Sequence, residues 1–255
     1  QAVADLRTTF DAYHPARIGG LEVVTEKSIV STSPARPDLI IGRTASCTKA
    51  QVDQAIQAAQ DAFATWSRTT PDARAEILFR LAAIMRHRRF ELLAILSYEI
   101  GKDWYEADAE IAEAIDFCEY YGRLALTHFQ YAPLTRLPNE DNCYHYIPLG
   151  VGVVISPWNF PLAILAGMTF AAVVSGNTVV VKPSSDTPVI ASKLFEMARE
   201  AGIPDGVINL TPGSGGEIGD YIVTHPQVRF VAFTGSAEVG LRINEFIAKP
   251  DPRRK

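Results

Sequence analysis

Residues 149–183, LGVGVVISPWNFPLAILAGMTFAAVVSGNTVVVKP, decide the fold. The run 151–155 is β-branched and reads as a fully buried strand. Ser156-Pro157 ends it, and WNFP at 158–161 makes a turn. Pro161 suits the first turn of a helix, where its missing N–H costs nothing. From 162 to 174 that helix is apolar almost all round, the mark of an interior helix. Gly176-Asn177 stops it, and 178–182 begins a second buried strand. In an open α/β sheet, ligands bind just beyond the carboxyl ends of the strands. Asn159 and Lys182 stand at two such ends and are candidate site residues on position. An Asn in a Pro-flanked turn is more often a turn residue, and a strand-end Lys is more often solvated, so position alone leaves both readings open.

The alternation continues downstream. A helix is expected over 188–201, with Thr187 as N-cap and Gly202 as stop. A strand at 207–210 precedes the Gly-rich turn PGSGGEIG (212–219) and a helix ending near His225. A strand at 228–233 precedes TGSAEVG (234–240) and a last helix reaching Ala248. Short loops between alternating elements predict an α/β, doubly wound parallel Rossmann-type sheet over 151–255. A dinucleotide site needs close backbone approach to phosphate and a helix N-terminus aimed at it. Gly235-Ser236, between strand and helix, offers the Ser236 N–H and hydroxyl. Gly213 begins a run that exceeds a GxGxxG fingerprint by one residue, a weak signal. Ser156 and Ser184, at the two strand ends, join the cofactor-side candidates.

Upstream, residues 1–46 are Pro-rich and mixed, and read as extended segments and short strands. Helices are expected over 50–66 with Thr48 as N-cap, from Pro71 to the basic cluster 86–89, over 90–100 closed by Gly101, and over 104–126. These give an N-terminal helical part, 1–128. Cations at a helix C-terminus complement its dipole, so the cluster at 86–89 reads as structural. Glu106, Asp108, Glu110, Glu113 and Asp116 form an acidic row on the long helix. Most of it is expected to be a solvated face, and no His lies at ligand spacing, so no metal site is expected. Residues 129–150 break the helical pattern with Pro133 and Pro138, and CYHYI (143–147) alternates like an exposed strand.

The 255 residues suffice for one large domain or two smaller ones, and 47% hydrophobic with 21% charged residues is ordinary for a globular protein. A net charge of −5 without a basic face argues against nucleic acid as a partner. No apolar run reaches the roughly 18 residues of a membrane span. No secretory signal is visible at Gln1, an unusual start that leaves preceding residues open. Cys47, Cys118 and Cys143 lack CxxC spacing, which fits a reducing compartment and a cytoplasmic location.

PWNFP (157–161), GNTVVVKPS (176–184) and FTGS (233–236), in this order and spacing, strongly resemble the aldehyde dehydrogenase superfamily. AEAIDFCEYYGR (112–123) and HYIPLGVGVVISPWNFPLAI (145–164) resemble the branch that oxidises glutamate semialdehyde (1-pyrroline-5-carboxylate) to glutamate in proline catabolism. The resemblance covers nearly the whole chain. It implies an NAD-dependent oxidation in which the Asn159 amide donates to the oxygen of the thiohemiacetal formed when a cysteine attacks the aldehyde. It also implies that Trp158 and Ser236 contact the pyrophosphate, Lys182 bonds the adenine-ribose hydroxyls, Gly213 passes the adenosine and Val239 walls the adenine. Phe160 and Glu113 would lie near the aldehyde tunnel. Residues 129–150 would form a β-hairpin that joins subunits of a homo-oligomer, the alternative being a hairpin packed on its own chain.

Two departures matter. NAD-preferring members often carry a glutamate two or three residues after the lysine, where this chain has Ser184-Ser185. A Glu there would repel a 2′-phosphate and a Ser would not, so NADP is expected to be tolerated beside NAD. The family's general-base glutamate, in an E-x-G-G-K string, and its nucleophilic cysteine are not found after FTGS, and none of the three thiols has a local activating signature. The expectation is the amino-terminal, cofactor-binding portion of an aldehyde dehydrogenase, with the catalytic domain absent and the chain alone inactive. The alternatives are a stand-alone dinucleotide-binding module without catalysis and an unrelated flavodoxin-like binding domain. Asn159 favours the first, since a binding module has no need of an oxyanion donor.

Overall fold

The computed structural model describes residues 8–130 and 132–249. The ends of the expected N-terminal and core segments (1–7 and 250–255) and Tyr131 of the expected hairpin lie outside the described residues. In chain order come strands β1 (Tyr13–His14), β2 (Ala16–Ile18), β3 (Leu21–Val23), β4 (Ser28–Ser33) and β5 (Arg36–Ala45). Helices α1 (Lys49–Trp66), α2 (Pro71–His87), α3 (Arg89–Glu99) and α4 (Trp104–His128) follow, then β6 (Ala132–Pro133) and β7 (Cys143–Tyr144). The second half runs β8 (Val151–Ile155), α5 (Ala163–Val174), β9 (Thr178–Lys182), α6 (Pro188–Glu200) and β10 (Ile208–Leu210). A π-helical turn (Gly215–Gly219), α7 (Asp220–Thr224), β11 (Phe230–Phe233) and α8 (Ala237–Ala248) complete it.

The main sheet has the order β11-β8-β9-β10-β2-β3, with the first four strands parallel and the last two antiparallel. The alternation expected over 151–255 is therefore the parallel core of the sheet. The expected N-terminal helical part is helical only from Lys49: β2 and β3 extend the main sheet, and β1, β5 and β4 make a second one. Side chains alternate across a strand, and the apolar run of β9 feeds both faces. Val179 and Val181 enter a core with α2 to α6, while Val180 enters a second core with α1, α7 and α8. A sheet covered on both faces needs continuous apolar strands rather than alternating ones. Within β8, Gly152 gives room to a neighbour: a Cβ there would lie 2.1 Å from the Phe230 ring on β11.

Helix α5 is the interior helix, beginning two residues after Pro161. Ser175 Oγ and Asn177 Nδ2 donate to the carbonyls of Ala171 and Ala172, and the last two carbonyls are met from the N-terminal helices. Trp66 Nε1 donates to Val173 O at 3.0 Å and Arg74 Nε to Val174 O at 2.7 Å. At the start of α1 the Thr48 N–H and hydroxyl both donate to Gln51 Oε1, at 2.7 and 2.6 Å, and Gly101, at φ +75°, closes α3. The basic cluster is structural: Arg86 pairs with Glu119, Arg88 with Glu91 and Glu196, and Arg89 with Asp108.

Two expectations are corrected. Glu106, Glu113 and Asp116 are exposed, but Glu110 is buried, because α4 turns it inward with Ala107, Ile111 and Ala114. Thr187 precedes α6 yet makes no side-chain cap; Glu99 from α3 takes that role. In the hairpin, β6 and β7 pair antiparallel, and Leu134, Leu137, Tyr144, Tyr146 and Ile147 are exposed. Tyr146 also meets the edge of Phe129 on its own chain. Among the described residues no helix is long and apolar enough to cross a membrane, and no group of three His, Cys, Asp or Glu is placed to hold a metal ion.

Candidate active site

The carboxyl ends of β8, β9 and β11 open onto a cleft of about 860 Å³. Of the residues singled out from the sequence, Ser156, Trp158, Asn159, Lys182, Ser184, Ser185, Gly235, Ser236 and Val239 line it. Each is there because a parallel strand ends and the chain turns into the next helix. The turn after β8 carries Trp158 and Asn159, the loop after β9 carries Ser184 to Asp186, and the turn after β11 carries Gly235 and Ser236.

Lys182 is the buried cation of the cleft, 6% exposed, and its Nζ donates to Pro183 O at 3.3 Å. Burial pushes the Lys182 ammonium below its usual pKa, with the Asp186 carboxylate pulling it back up. Ser236 caps α8, its Oγ accepting from Val239 N–H at 3.3 Å. The hydroxyl of Ser185 donates to Gly213 O at 3.3 Å. Gly213 itself does not line the cleft: a Cβ there would strike Ile218 at 2.5 Å. Within that glycine-rich string, Gly215, Gly216 and Gly219 line the cleft, and a Cβ at Gly215 or Gly219 would meet nothing within 4 Å.

A second cleft, of about 410 Å³, lies on the other side of the same turn and is lined by Ile100, Gly101, Lys102, Glu106, Ala109, Trp158, Asn159 and Phe160. Trp158 and Asn159 line both clefts, so the turn that carries them borders the two. Asn159 is exposed, and among the described residues its side chain has no hydrogen-bond partner. Phe160 lines the second cleft only. Glu113 lines neither; it is exposed on α4, one turn beyond Ala109.

Sequence reasoning missed Thr234, Asp220 and Arg242 in the first cleft. Arg242 pairs with Asp220 across α7 and α8. Its signal was available, since it follows Val239 by one helical turn. None of the thiols approaches either cleft. Burial pushes the Cys47 thiol up to about 12 and that of Cys118 higher still, while Cys143 is exposed on the hairpin.

Fold and cleft define a doubly wound α/β protein with a cleft at the carboxyl ends of its parallel strands, the place where such sheets bind ligands. Residues 23–252 match the aldehyde dehydrogenase family, and the chain belongs to it. It is 56% identical over 239 residues to the 1-pyrroline-5-carboxylate dehydrogenase of Geobacillus thermodenitrificans strain NG80-2, a match covering 94% of this chain and 46% of that protein. A solved 1-pyrroline-5-carboxylate dehydrogenase from Thermus with bound NAD superposes with a TM-score of 0.96 at 46% identity, over 100% of this chain and 49% of that one. Proline utilization A from Bdellovibrio bacteriovorus, solved after inactivation by N-propargylglycine, superposes with a TM-score of 0.97 at 43% identity, over 100% of this chain and 26% of that one. The chain thus spans about half the length of the curated relatives it matches.

Proposed function

We propose that this chain is the cofactor-binding and oxyanion-holding portion of an NAD-dependent aldehyde dehydrogenase that oxidises L-glutamate 5-semialdehyde to L-glutamate. The observation that carries the reading is Asn159, exposed on the turn that borders both clefts. The residues fit a dinucleotide: a buried cation at the end of β9, a capped helix start at Ser236, and glycines whose missing Cβ atoms leave the cleft wall open. Lys182 would hold the adenine ribose, Ser236 and Trp158 the pyrophosphate, and Val239 the adenine. A nicotinamide held there would supply a hydride acceptor for the oxidation.

Asn159 donates its side-chain N–H to the oxygen that gains negative charge when a thiolate adds to the carbonyl. Phe160 lines the aldehyde side of the turn, and Glu113 stands further along α4. No thiol lines either cleft among the described residues, so the attacking thiolate would come from outside the residues that line them. Cys47 and Cys118 are buried with raised pKa values, so the 255-residue chain by itself is expected to form no NADH from an aldehyde. The exposed hairpin apolar residues suit a contact between subunits of a homo-oligomer. The free cysteines suit the cytoplasm.

The test is Asn159→Ala in the complete enzyme. Loss of an oxyanion donor lowers kcat by roughly 10²–10³-fold, and calorimetry should find NAD affinity unchanged. A large loss of NAD binding with acylation intact would assign Asn159 to the cofactor instead. NADP is proposed to bind as well, since Ser185 places no carboxylate beside Lys182 and only Asp186 on that loop is acidic. Ser185→Glu should weaken NADP at least ~10-fold, about 1.4 kcal/mol, with NAD held. A wild type that already rejects NADP would remove Ser185 from the ribose site.

A further inference from the structure

The start of α5 is held from outside its own sequence. Leu162 stands at the cap position without a side chain able to accept an N–H. The first N–H groups of a helix have no partner within the helix and need one elsewhere. Glu110 of α4 supplies it, with a fully buried side chain. Its Oε1 accepts from Leu162 N–H at 2.8 Å and from Ala163 N–H at 3.2 Å. Its Oε2 accepts from Lys102 Nζ at 2.6 Å. The same ammonium lies 3.7 Å from the centroid of the Phe160 ring. One buried ion pair therefore grips the chain at residues 160, 162 and 163, directly after Asn159. Charge-assisted hydrogen bonds of this kind are shorter and stronger than neutral ones, and a carboxylate at a helix N-terminus also meets the favourable end of the dipole.

We propose that Glu110 and Lys102 are positioning residues for Asn159: the carboxylate fixes the start of α5, the ammonium fixes the Phe160 ring, and together they set where the Asn159 amide points. The inference rests on the oxyanion reading of Asn159. The Asn159 side chain has no hydrogen bond of its own among the described residues, so its direction is inherited from the backbone of the turn. β8 anchors the entry to that turn, and the ion pair anchors its exit. A displacement of about 1 Å at a reacting group can cost about 10²-fold in rate.

A cap that only stabilises α5 would leave the same bonds, so the test must separate stability from aim. In the complete enzyme, Glu110→Gln keeps the size of the side chain and one acceptor oxygen but loses the charge. It should lower kcat about 10-fold, while KM for the aldehyde and calorimetric NAD affinity stay within about 2-fold. Lys102→Met, which leaves the carboxylate on α5, should act in the same direction and serves if Glu110→Gln does not fold. Amide hydrogen exchange at Leu162 and Ala163 should quicken in Glu110→Gln. In an Asn159→Ala background, Glu110→Gln should cause no further loss of kcat, because the amide it aims is already gone. Losses that multiply in the double variant, or an unchanged kcat in both Glu110→Gln and Lys102→Met, overturn the inference and leave the oxyanion reading standing. If Asn159→Ala alone leaves kcat unchanged, the oxyanion reading has failed, and the inference fails with it.

Discussion

Two buried glutamates hold two helix starts on the rim of the same cleft, by different means. Glu110 holds α5, which follows the turn carrying Asn159, and pairs with Lys102. Glu99 holds α6, which follows the loop carrying Ser184, Ser185 and Asp186, and meets neutral donors: Val189 N–H at 2.8 Å, Ile190 N–H at 2.9 Å and the Ser31 hydroxyl at 2.9 Å. No ion pair reaches Glu99 among the described residues. Burial pushes its carboxyl up to about 7, against the pull of those three hydrogen bonds. The turn with the proposed oxyanion donor is thus secured by an ion pair, and the loop beside the proposed ribose site by a cap that titrates. A buried carboxylate at a helix start does one local job, and its second partner decides whether a buried charge is stranded when that carboxylate is lost.

The largest expected difference comes from deleting each carboxylate. Glu110→Ala leaves the Lys102 ammonium buried without its partner as well as two unmet N–H groups, a loss of about 3–5 kcal/mol. Glu99→Ala strands N–H groups and a hydroxyl but no charge, a loss of about 1–3 kcal/mol. Urea unfolding of the two variants at one pH measures both. Equal losses would mean that Lys102 contributes nothing to holding the turn.

Both glutamates were within reach of the sequence. On α4, Ala107, Ile111, Ala114, Ile115 and Cys118 fall at helical spacing, and that phase carries Glu110 inward with them. The acidic row hid this, because five acids on one helix look like a wetted face. On α3, Leu92, Ile95, Leu96 and Glu99 repeat the pattern. What the phase could not reveal was the partner, since the capped N–H groups lie 52 and 90 residues further along the chain. The parallel core was legible because β8, α5 and β9 obey one short-range rule each: a β-branched run, an all-round apolar helix, a Gly-Asn stop. The pairing of β2 and β3 was not, since each is three residues long, β3 pairs only with β2, and β2 pairs with β10 from the far end of the sequence. Lys182 and Asn159 were legible as strand-end polar residues. Within the glycine-rich string the sequence alone does not say which glycines line the cleft, and here they are Gly215, Gly216 and Gly219.

A smaller effect follows from the titration of Glu99. Its folded-state pKa of about 7 stands above its reference value of 4.5, so the folded protein holds this proton more tightly than the unfolded chain. The stability this contributes is present in full below about pH 4.5 and is lost as the pH rises through about 7. The whole change is on the order of 3 kcal/mol. Unfolding free energies from pH 5 to pH 8 should therefore fall more steeply for wild type than for Glu99→Gln. Parallel curves would show that Glu99 does not titrate in this range.

The smallest effect isolates the hydroxyl that joins β4 to α3. Ser31 donates to Oε1 of Glu99, and this bond favours the ionised carboxylate. Ser31→Ala removes the donor without touching the two backbone N–H groups of α6. At pH 8, where Glu99 is ionised, the variant should lose about 1.5 kcal/mol, the low end for one hydrogen bond to a charged group. At pH 5 the carboxyl carries its own proton and needs the hydroxyl less, so the loss should shrink. The midpoint of the stability-against-pH curve should correspondingly move above the wild-type value. Urea unfolding at the two pH values measures the difference directly. An equal loss at both would make Ser31 a packing residue rather than a partner of the ionised Glu99 carboxylate.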